Sequence, residues 1–151
     1  MDGGIFSNNP SMVTMMYLMK LGWDTKDIFM LSLGTGSQNR PYFYHEVKTW
    51  TNLQWVMENR GVPIISMLMQ GQAFIVDEYM NILMNGDEGD VMKKNYIRID
   101  GKLEQGLGND ALDDASEENI RELELLARRL MEETENRKAL ERVAQMAMEV
   151  G

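Results

Sequence analysis

The sequence predicts a helix-rich α/β chain with a few, mostly parallel, strands. A short, continuous apolar run from Ile28 to Leu33 is bounded by the turn Gly34-Thr35-Gly36. Such a run is typical of a strand covered on both faces of a parallel sheet. Residues Tyr96 to Ile99 alternate in the manner of a second strand. Longer apolar segments around these two strands have the length and spacing of helices.

The composition is that of an ordinary globular protein, with 44% hydrophobic residues in a chain of 151. Its 24 acidic and 15 basic residues give a formal charge of -9, so we expect no nucleic-acid partner. No apolar run approaches the roughly 18 residues of a membrane span, so we expect no transmembrane segment. Cysteine is absent, which excludes disulfides and cysteine-ligated zinc. Composition does not fix the compartment, although the cytoplasm is what we expect.

The first helix is predicted to have Asn9 as its N-cap and Pro10 at its first position, and to end at Gly22. It is apolar on nearly all sides, which is typical of a buried helix. Methionine contributes much of this surface and occurs 15 times in the chain. Methionine fills irregular gaps in a core and also suits an adaptable binding surface, and the core is the simpler interpretation.

The middle of the chain predicts two more helices, the first around Trp50–Asn59. Pro63 can start the second, which runs to about Asn85 before a loop from Gly86 to Asp90.

The last third is more acidic and predicts a capped helix followed by a second apolar stripe. Ser116 can cap the helix, and the residues that we expect to dock on a core are Ile120, Leu123, Ala127 and Leu130. Residues 132–138 are entirely polar, and a further stripe follows at Leu140, Val143, Ala144 and Ala147. We therefore divide the chain into a main part, 1–131, and an acidic helical tail, 132–151.

Asp2 is the best candidate for chemistry, because Gly3 and Gly4 allow the backbone to turn sharply beside an exposed carboxylate. An Asp-Gly turn that simply closes a loop remains the alternative. The segment starts with turn residues and no preceding element, so we expect a chain cut at the end of a strand.

Other candidate sites have incomplete motifs. The turn Gly34-Thr35-Gly36 could cradle an anion, but Asn39 replaces the third glycine of a dinucleotide fingerprint, and a tight exit from the strand is simpler. His45-Glu46 lacks the second histidine of a zinc helix. The acidic residues Asp87, Glu88 and Asp90 do not have the spacing of a calcium loop. We therefore expect no metal and no cofactor.

Several segments together resemble the C-terminal half of patatin-like phospholipases. The first two segments are the more specific ones, and the resemblance covers roughly residues 1 to 131. The segments are Asp2–Ser11, Met30–Gly36, Met69–Gln72 with Val76–Tyr79, Asn95–Asp100, and Leu112–Ser116 with Glu118–Ile120.

The resemblance implies a three-layer α/β fold and a lipid acyl hydrolase with a Ser–Asp dyad and no catalytic histidine. The aspartate of that dyad corresponds to Asp2, and its substrate would be a lipid or another acyl ester. The serine lies in a Gly-x-Ser-x-Gly motif, which does not occur in this sequence. We therefore expect the chain alone to be inactive, and to self-associate if it lacks the rest of its fold.

Two alternatives stay open on the sequence alone. Asp2 followed by His45 also fits the Ser, Asp, His order of α/β-hydrolases, which would make the chain a fragment of such an enzyme. The chain could instead be a non-catalytic, acidic interaction module with a methionine-rich docking surface.

Overall fold

The computed structural model describes residues 3–38, 42–57, 62–103 and 114–150. Its helices are α1 (Gly4–Ser7), α2 (Ser11–Lys20), α3 (Tyr44–Val47), α4 (Asn52–Val56), α5 (Pro63–Met84), α6 (Glu117–Glu132) and α7 (Thr134–Val150). Its strands are β1 (Met30–Leu33), β2 (Ser37–Gln38), β3 (Tyr96–Ile99) and β4 (Lys102–Leu103). None of the described helices is both long and apolar enough to cross a membrane.

The two predicted strands pair with each other in parallel, which confirms the mixed α/β class. β1 and β3 run in register from Met30 opposite Tyr96 to Leu33 opposite Ile99. A parallel pair needs a long crossover connection, and α5 is the longest helix in this connection and packs against β3. The prediction that the strand is covered on both faces is only partly right, because Leu33 at its end is 68% exposed.

The glycine turn after β1 is a bulge in a continuous parallel ribbon. β2 and β4 continue the pairing of β1 and β3, but the three residues Gly34–Gly36 lie opposite the two residues Asp100 and Gly101. Gly36 absorbs the extra residue with a φ of +97°, a conformation that favours glycine. The expected tight exit from the strand is thus only partly right, because β1 ends at the turn but parallel pairing resumes at Ser37.

The core lies where α2, α5 and the β1–β3 pair meet. It consists of the buried residues Met15, Ile28, Met80 and Tyr96, with Met12, Leu18, Met30, Val76 and Met84 packed against them. The core interpretation of methionine is therefore only partly right, because Met16, Met19, Met57, Met67, Met131 and Met148 are between 43% and 74% exposed.

The prediction of a fully buried first helix is wrong within this chain. Only Ser11 and Met15 of α2 are buried, while Val13 and Tyr17 are 62% and 60% exposed. Among the described elements, α2 packs mainly against α5, so a single face is covered. The helix does end as predicted, because Gly22 has a φ of +92° and Trp23 N–H donates to the carbonyl of Leu18.

The predicted helix at Trp50–Asn59 is shorter in the structure. Thr51 caps α4 together with Gln54, whose Oε1 accepts a 2.8 Å hydrogen bond from the N–H of Thr51, so the helix begins only at Asn52. It ends at Val56, and residues 58–61 lie outside the described part of the chain. The third helix is confirmed as α5, with Pro63 at its start and Gly86 in the left-handed region just after its end.

The Ser116 cap and the docking of Leu130 are confirmed, but the other three positions of the docked face of α6 are shifted by one residue from the predicted ones. Ser116 Oγ accepts a 3.3 Å hydrogen bond from the N–H of Asn119, which is buried. Leu126 and Leu130 pack over Gly101, where an added Cβ would overlap Leu130. The covered side runs through Asn119, Glu122, Leu126 and Leu130, whereas Ile120, Leu123 and Ala127 are exposed.

The polar segment 132–138 is helical except at Glu133, which separates α6 from α7. α7 packs against α6 and the 3₁₀ turn Val91–Lys93, and the guanidinium of Arg142 lies 5.8 Å from the centre of the Phe29 ring. In the second stripe, Leu140 and Val143 are half-buried, whereas Ala144 and Ala147 are exposed. The division of the chain at residue 131 stays a prediction.

Candidate functional site

Asp2 itself lies outside the described residues, so the site is built from the segment that follows it. Gly3 takes right-handed helical angles, with a φ of -65°, and Gly4 begins α1. An added Cβ at Gly3 would meet no atom within 4 Å. A supporting role for Gly3 and Gly4 beside Asp2 therefore stays a prediction.

The turn after α1 is fastened to α5 by side-chain amides. Gln72 uses both ends of its amide, because Oε1 accepts a 2.7 Å hydrogen bond from the N–H of Asn8 and Nε2 donates a 3.0 Å bond to the carbonyl oxygen of Phe6. Asn8 Nδ2 donates in addition to the carbonyl of Met69 at 3.3 Å. These bonds connect residues more than 60 positions apart and fix how α1 lies on α5.

Asn9 extends this attachment into the interior. It is 0% exposed, and its Nδ2 donates a 3.4 Å hydrogen bond to the carbonyl of Ala73. Its Oδ1 accepts hydrogen bonds from the N–H and the hydroxyl of Ser11, at 3.1 Å and 2.7 Å. Pro10, and not Asn9, occupies the N-cap position of α2, but the Asn9 side chain still binds a free amide of the first turn.

An ion pair between Arg98 and Asp100 lies at the carboxyl ends of β1 and β3. Arg98 Nη1 donates to Ser32 Oγ at 2.8 Å, and Arg98 Nη2 donates to Asp100 Oδ2 at 2.7 Å. The side chains of Arg98 and Asp100 are 13% and 24% exposed. Charge-assisted bonds between partly buried groups are among the stronger polar contacts of proteins.

The glycine turn does bind an anion, and that anion is the carboxylate of Asp100. Asp100 Oδ1 accepts a 3.0 Å hydrogen bond from the N–H of Gly36. A Cβ on Gly34 would overlap the Asp100 carboxyl group. The turn is therefore filled by the protein's own side chain, and this close approach explains the glycine at position 34.

A second buried polar contact joins α5 to β3. Tyr96 is 0% exposed, and its hydroxyl donates a 2.8 Å hydrogen bond to Asp77 Oδ1. Burial is the main cause that raises the pKa of Tyr96, and the bond to Asp77 raises it further. Hydrogen bonds with Asn9 and Ser11 act in the opposite direction, so the same network includes the segment after α1.

A cavity of about 390 Å³ lies between these groups. Asn8 lines it from the segment after α1, the residues of the glycine turn line it from the end of β1, and Asp77, Arg98 and Asp100 contribute polar groups. Leu33 and Phe74 also line it and are 68% and 65% exposed. Hydrogen-bonding groups beside apolar side chains suit a ligand with one neutral polar part and one apolar part.

The other candidates of the sequence lie apart from this cavity. His45 is exposed on α3, where its ring stacks on Phe43 with the centroids 5.6 Å apart. Asp90 accepts a hydrogen bond from the N–H of Met92 and thereby caps a 3₁₀ turn. Across the described ranges, no group of three or more histidine, aspartate or glutamate residues is arranged to hold a metal ion.

Sequence reasoning did not assign roles to Gln72, Asp77, Arg98 and Asp100, although they occur in the segments that carry the resemblance. For Asp77 one signal was available in α5. Polar residues recur there about every fourth position within an otherwise apolar helix, at Asp77, Asn81 and, just after its end, Asn85. Asn85 Oδ1 accepts hydrogen bonds of 3.0 Å from the N–H groups of Asn95 and Tyr96.

No known family profile matches the chain. Individual proteins do match it. Patatin-like protein 2 of Oryza sativa, from both subspecies indica and japonica, is 27% identical over 157 residues and covers 93% of this chain. Patatin-like protein 1 of Oryza sativa subsp. indica is 27% identical over 86% of the chain, and Patatin-like protein 3 of Arabidopsis thaliana is 28% identical over 93% of it.

The chain spans between 34% and 38% of the length of these relatives. Four of the five resembling stretches contribute residues to the cavity, and the matches cover between 86% and 93% of this chain. The chain is therefore a distant homologue of plant patatin-like proteins.

Proposed function

We propose that this chain is the C-terminal portion of a patatin-like lipid acyl hydrolase, a phospholipase or esterase in which Asp2 is the base of a Ser–Asp dyad. The nucleophilic serine of this enzyme is not in the present sequence. One observation supports the proposal above the others: the segment that begins directly after Asp2 is hydrogen-bonded to α5 at the wall of the cavity.

The position of this cavity fits an active site of an α/β protein. Ligands of open parallel sheets bind outside the carboxyl ends of the strands, and the cavity lies at the ends of β1 and β3. Gly3 and Asn8 both have helical angles and flank α1, so the helical rise places Gly3 only about 8 Å along the axis from Asn8. Asp2 directly precedes Gly3 in the sequence.

The proposed chemistry needs few protein groups. A serine hydroxyl is a weak nucleophile near neutral pH and needs an adjacent base. A carboxylate can accept its proton if it lies within hydrogen-bond reach and is partly desolvated. The polar wall of the cavity would bind the ester head, while Leu33 and Phe74 would contact the acyl chain.

The test is the substitution Asp2→Asn in a polypeptide that contains both this chain and the serine-bearing part of the domain. Loss of the group that orients or deprotonates a serine costs on the order of 10⁴ in kcat in triad enzymes. We expect a loss of about three to four decades in the hydrolysis of acyl esters, with an unchanged circular dichroism spectrum.

The matched control is His45→Ala, which separates the dyad from the Ser, Asp, His alternative. His45 is exposed and stacks on Phe43, so its removal should change the rate by less than about tenfold. An inactive His45→Ala enzyme beside a largely active Asp2→Asn enzyme would overturn the dyad.

A further inference from the structure

We propose that Gln72 is a positioning residue, which acts on the reaction by fixing the segment between Asp2 and Asn8. This inference rests on the proposed function, because it assigns to Gln72 the task of holding the catalytic aspartate in place. The side chain of Gln72 lies on α5, in the part of the helix that α1 contacts.

The local geometry requires such a clamp. α1 has only four residues, and helices shorter than about 12 residues are marginal without tertiary contacts. Gln72 supplies a bond on each side of the turn that ends α1, at 3.0 Å to the carbonyl of Phe6 and at 2.7 Å from the N–H of Asn8. An amide of this length offers a donor and an acceptor together, whereas a carboxylate lacks the donor and an apolar chain lacks both.

The other contacts of the segment do not replace this pair. Asn8 Nδ2 reaches the carbonyl of Met69, and Asn9 is anchored to Ala73, but both contacts lie on the far side of the turn from Gly3. The bond to the Phe6 carbonyl is therefore the side-chain bond to α5 that lies nearest to Asp2 along the chain among those of the described residues. Loss of it would remove the α5 side-chain bond that holds the Phe6 carbonyl and would weaken the attachment of α1 to α5.

Such a shift affects the chemical step more than substrate binding. A misplacement of about 1 Å in a catalytic group can reduce the rate on the order of 10²-fold. Asn8 also lines the cavity, but its side chain keeps its own bond to the carbonyl of Met69. The glycine turn and Arg98 line the rest of the polar wall without a bond to Gln72, so ground-state binding should be little changed. A fall in kcat with a nearly constant KM is the expected signature.

The first measurement uses the 151-residue chain and requires no activity. In Gln72→Met we expect amide hydrogen exchange of Asn8 to become at least about tenfold faster, because its acceptor is gone. The amide of Gly34, which is bonded to Ile99, should keep its rate and thereby show that the fold survives. The matched control is Gln145→Met on the exposed side of α7, which should change neither amide.

The second measurement uses the complete enzyme. We expect Gln72→Met to lower kcat about ten- to hundredfold, with KM within about twofold of the wild-type value. An unchanged kcat beside an inactive Asp2→Asn enzyme overturns the role of Gln72 alone, whereas an active Asp2→Asn enzyme overturns the proposed function.

A second variant serves if Gln72→Met does not fold. Gln72→Glu keeps the side-chain length and the acceptor for the N–H of Asn8, and it removes only the donor to the Phe6 carbonyl. We expect normal protection of the Asn8 amide and a kcat at least about fivefold lower. A wild-type kcat in this folded variant contradicts the inference.

Discussion

The hydroxyl of Tyr96 donates a 2.8 Å hydrogen bond to Asp77 Oδ1 at a position where the tyrosine is 0% exposed. Asp77 belongs to α5 and Tyr96 begins β3, so this bond connects the long helix to the strand pair. Asn85 at the end of the same helix also donates to the Tyr96 carbonyl at 2.8 Å. The strand is thus attached to α5 through its side chain and through its backbone.

Tyr96→Phe should destabilise the fold near neutral pH by about 1–2 kcal/mol, because Asp77 loses its donor while the ring stays packed. Urea unfolding followed by circular dichroism measures this difference. The control is Tyr44→Phe at a position that is 81% exposed, which should change stability by less than about 0.5 kcal/mol. An equal loss in both variants would contradict a special role for the Tyr96–Asp77 bond.

The same residue predicts a loss of stability at alkaline pH. The pKa of Tyr96 is raised by folding, so the folded chain keeps this proton after the unfolded chain has released it. The contribution is fully present below the unfolded pKa of about 10, and it falls as the pH rises from there towards the folded pKa. Unfolding between about pH 9 and pH 11 should show a steeper decline for the wild type than for Tyr96→Phe. If stability declined equally with pH in the wild type and in Tyr96→Phe, the raised pKa of Tyr96 would be contradicted.

Gly34→Ala and Gly71→Ala should have opposite effects. A Cβ at Gly34 overlaps the carboxyl group of Asp100, so either the bulge or the Arg98–Asp100 pair must shift, at a cost of about 1–3 kcal/mol. Gly71 lies within α5 with no atom within 4 Å of an added Cβ, and alanine there should stabilise the helix by about 0.5–1 kcal/mol. Thermal melts of the two variants compare the sites directly, and a tolerated Gly34→Ala would disprove the close approach.

Much of the backbone was predictable, because element type depends on local periodicity. The apolar run at Ile28–Leu33 and the alternation at Tyr96–Ile99 identified the two strands, and Pro63 identified the start of α5. Three positions of the docked face of α6 were predicted one residue away because periodicity counts apolar residues, whereas the covered side includes Asn119 and Glu122. A polar residue with a hydrogen-bond partner can be buried as well as an apolar one.

The site was less predictable than the fold for a physical reason. The bonds of Gln72 to Phe6, of Tyr96 to Asp77 and of Arg98 to Ser32 join residues between 19 and 66 positions apart. No short spacing in the sequence records which of these polar residues will meet. The prediction for α2 was wrong for a different reason. Its apolar surface predicted a buried helix, but the described residues cover only part of that surface.

Arg98→Met should be far more harmful than Arg121→Met. Arg98 is 13% exposed and pairs with Asp100, so its removal leaves a partly buried carboxylate with the N–H of Gly36 as a partner and should cost about 2–3 kcal/mol. Arg121 pairs with Glu117 at the surface, where both side chains are more than 70% exposed, and its loss should cost less than about 0.5 kcal/mol. Denaturant unfolding measures the loss of unfolding free energy in each variant. Equal losses in the two variants would contradict this prediction.

The isolated 151-residue chain should also show no acyl-ester turnover above background, because it lacks the Gly-x-Ser-x-Gly nucleophile on which the proposed dyad depends. The measurement is hydrolysis of p-nitrophenyl acyl esters, together with labelling by a fluorophosphonate probe. A polypeptide that includes the serine-bearing part of the domain is the positive control, and its labelling should map to that serine. Burst kinetics or labelling of any serine within residues 1–151 would reveal a nucleophile inside this chain. That result would contradict the proposal that the serine of the dyad lies outside this sequence.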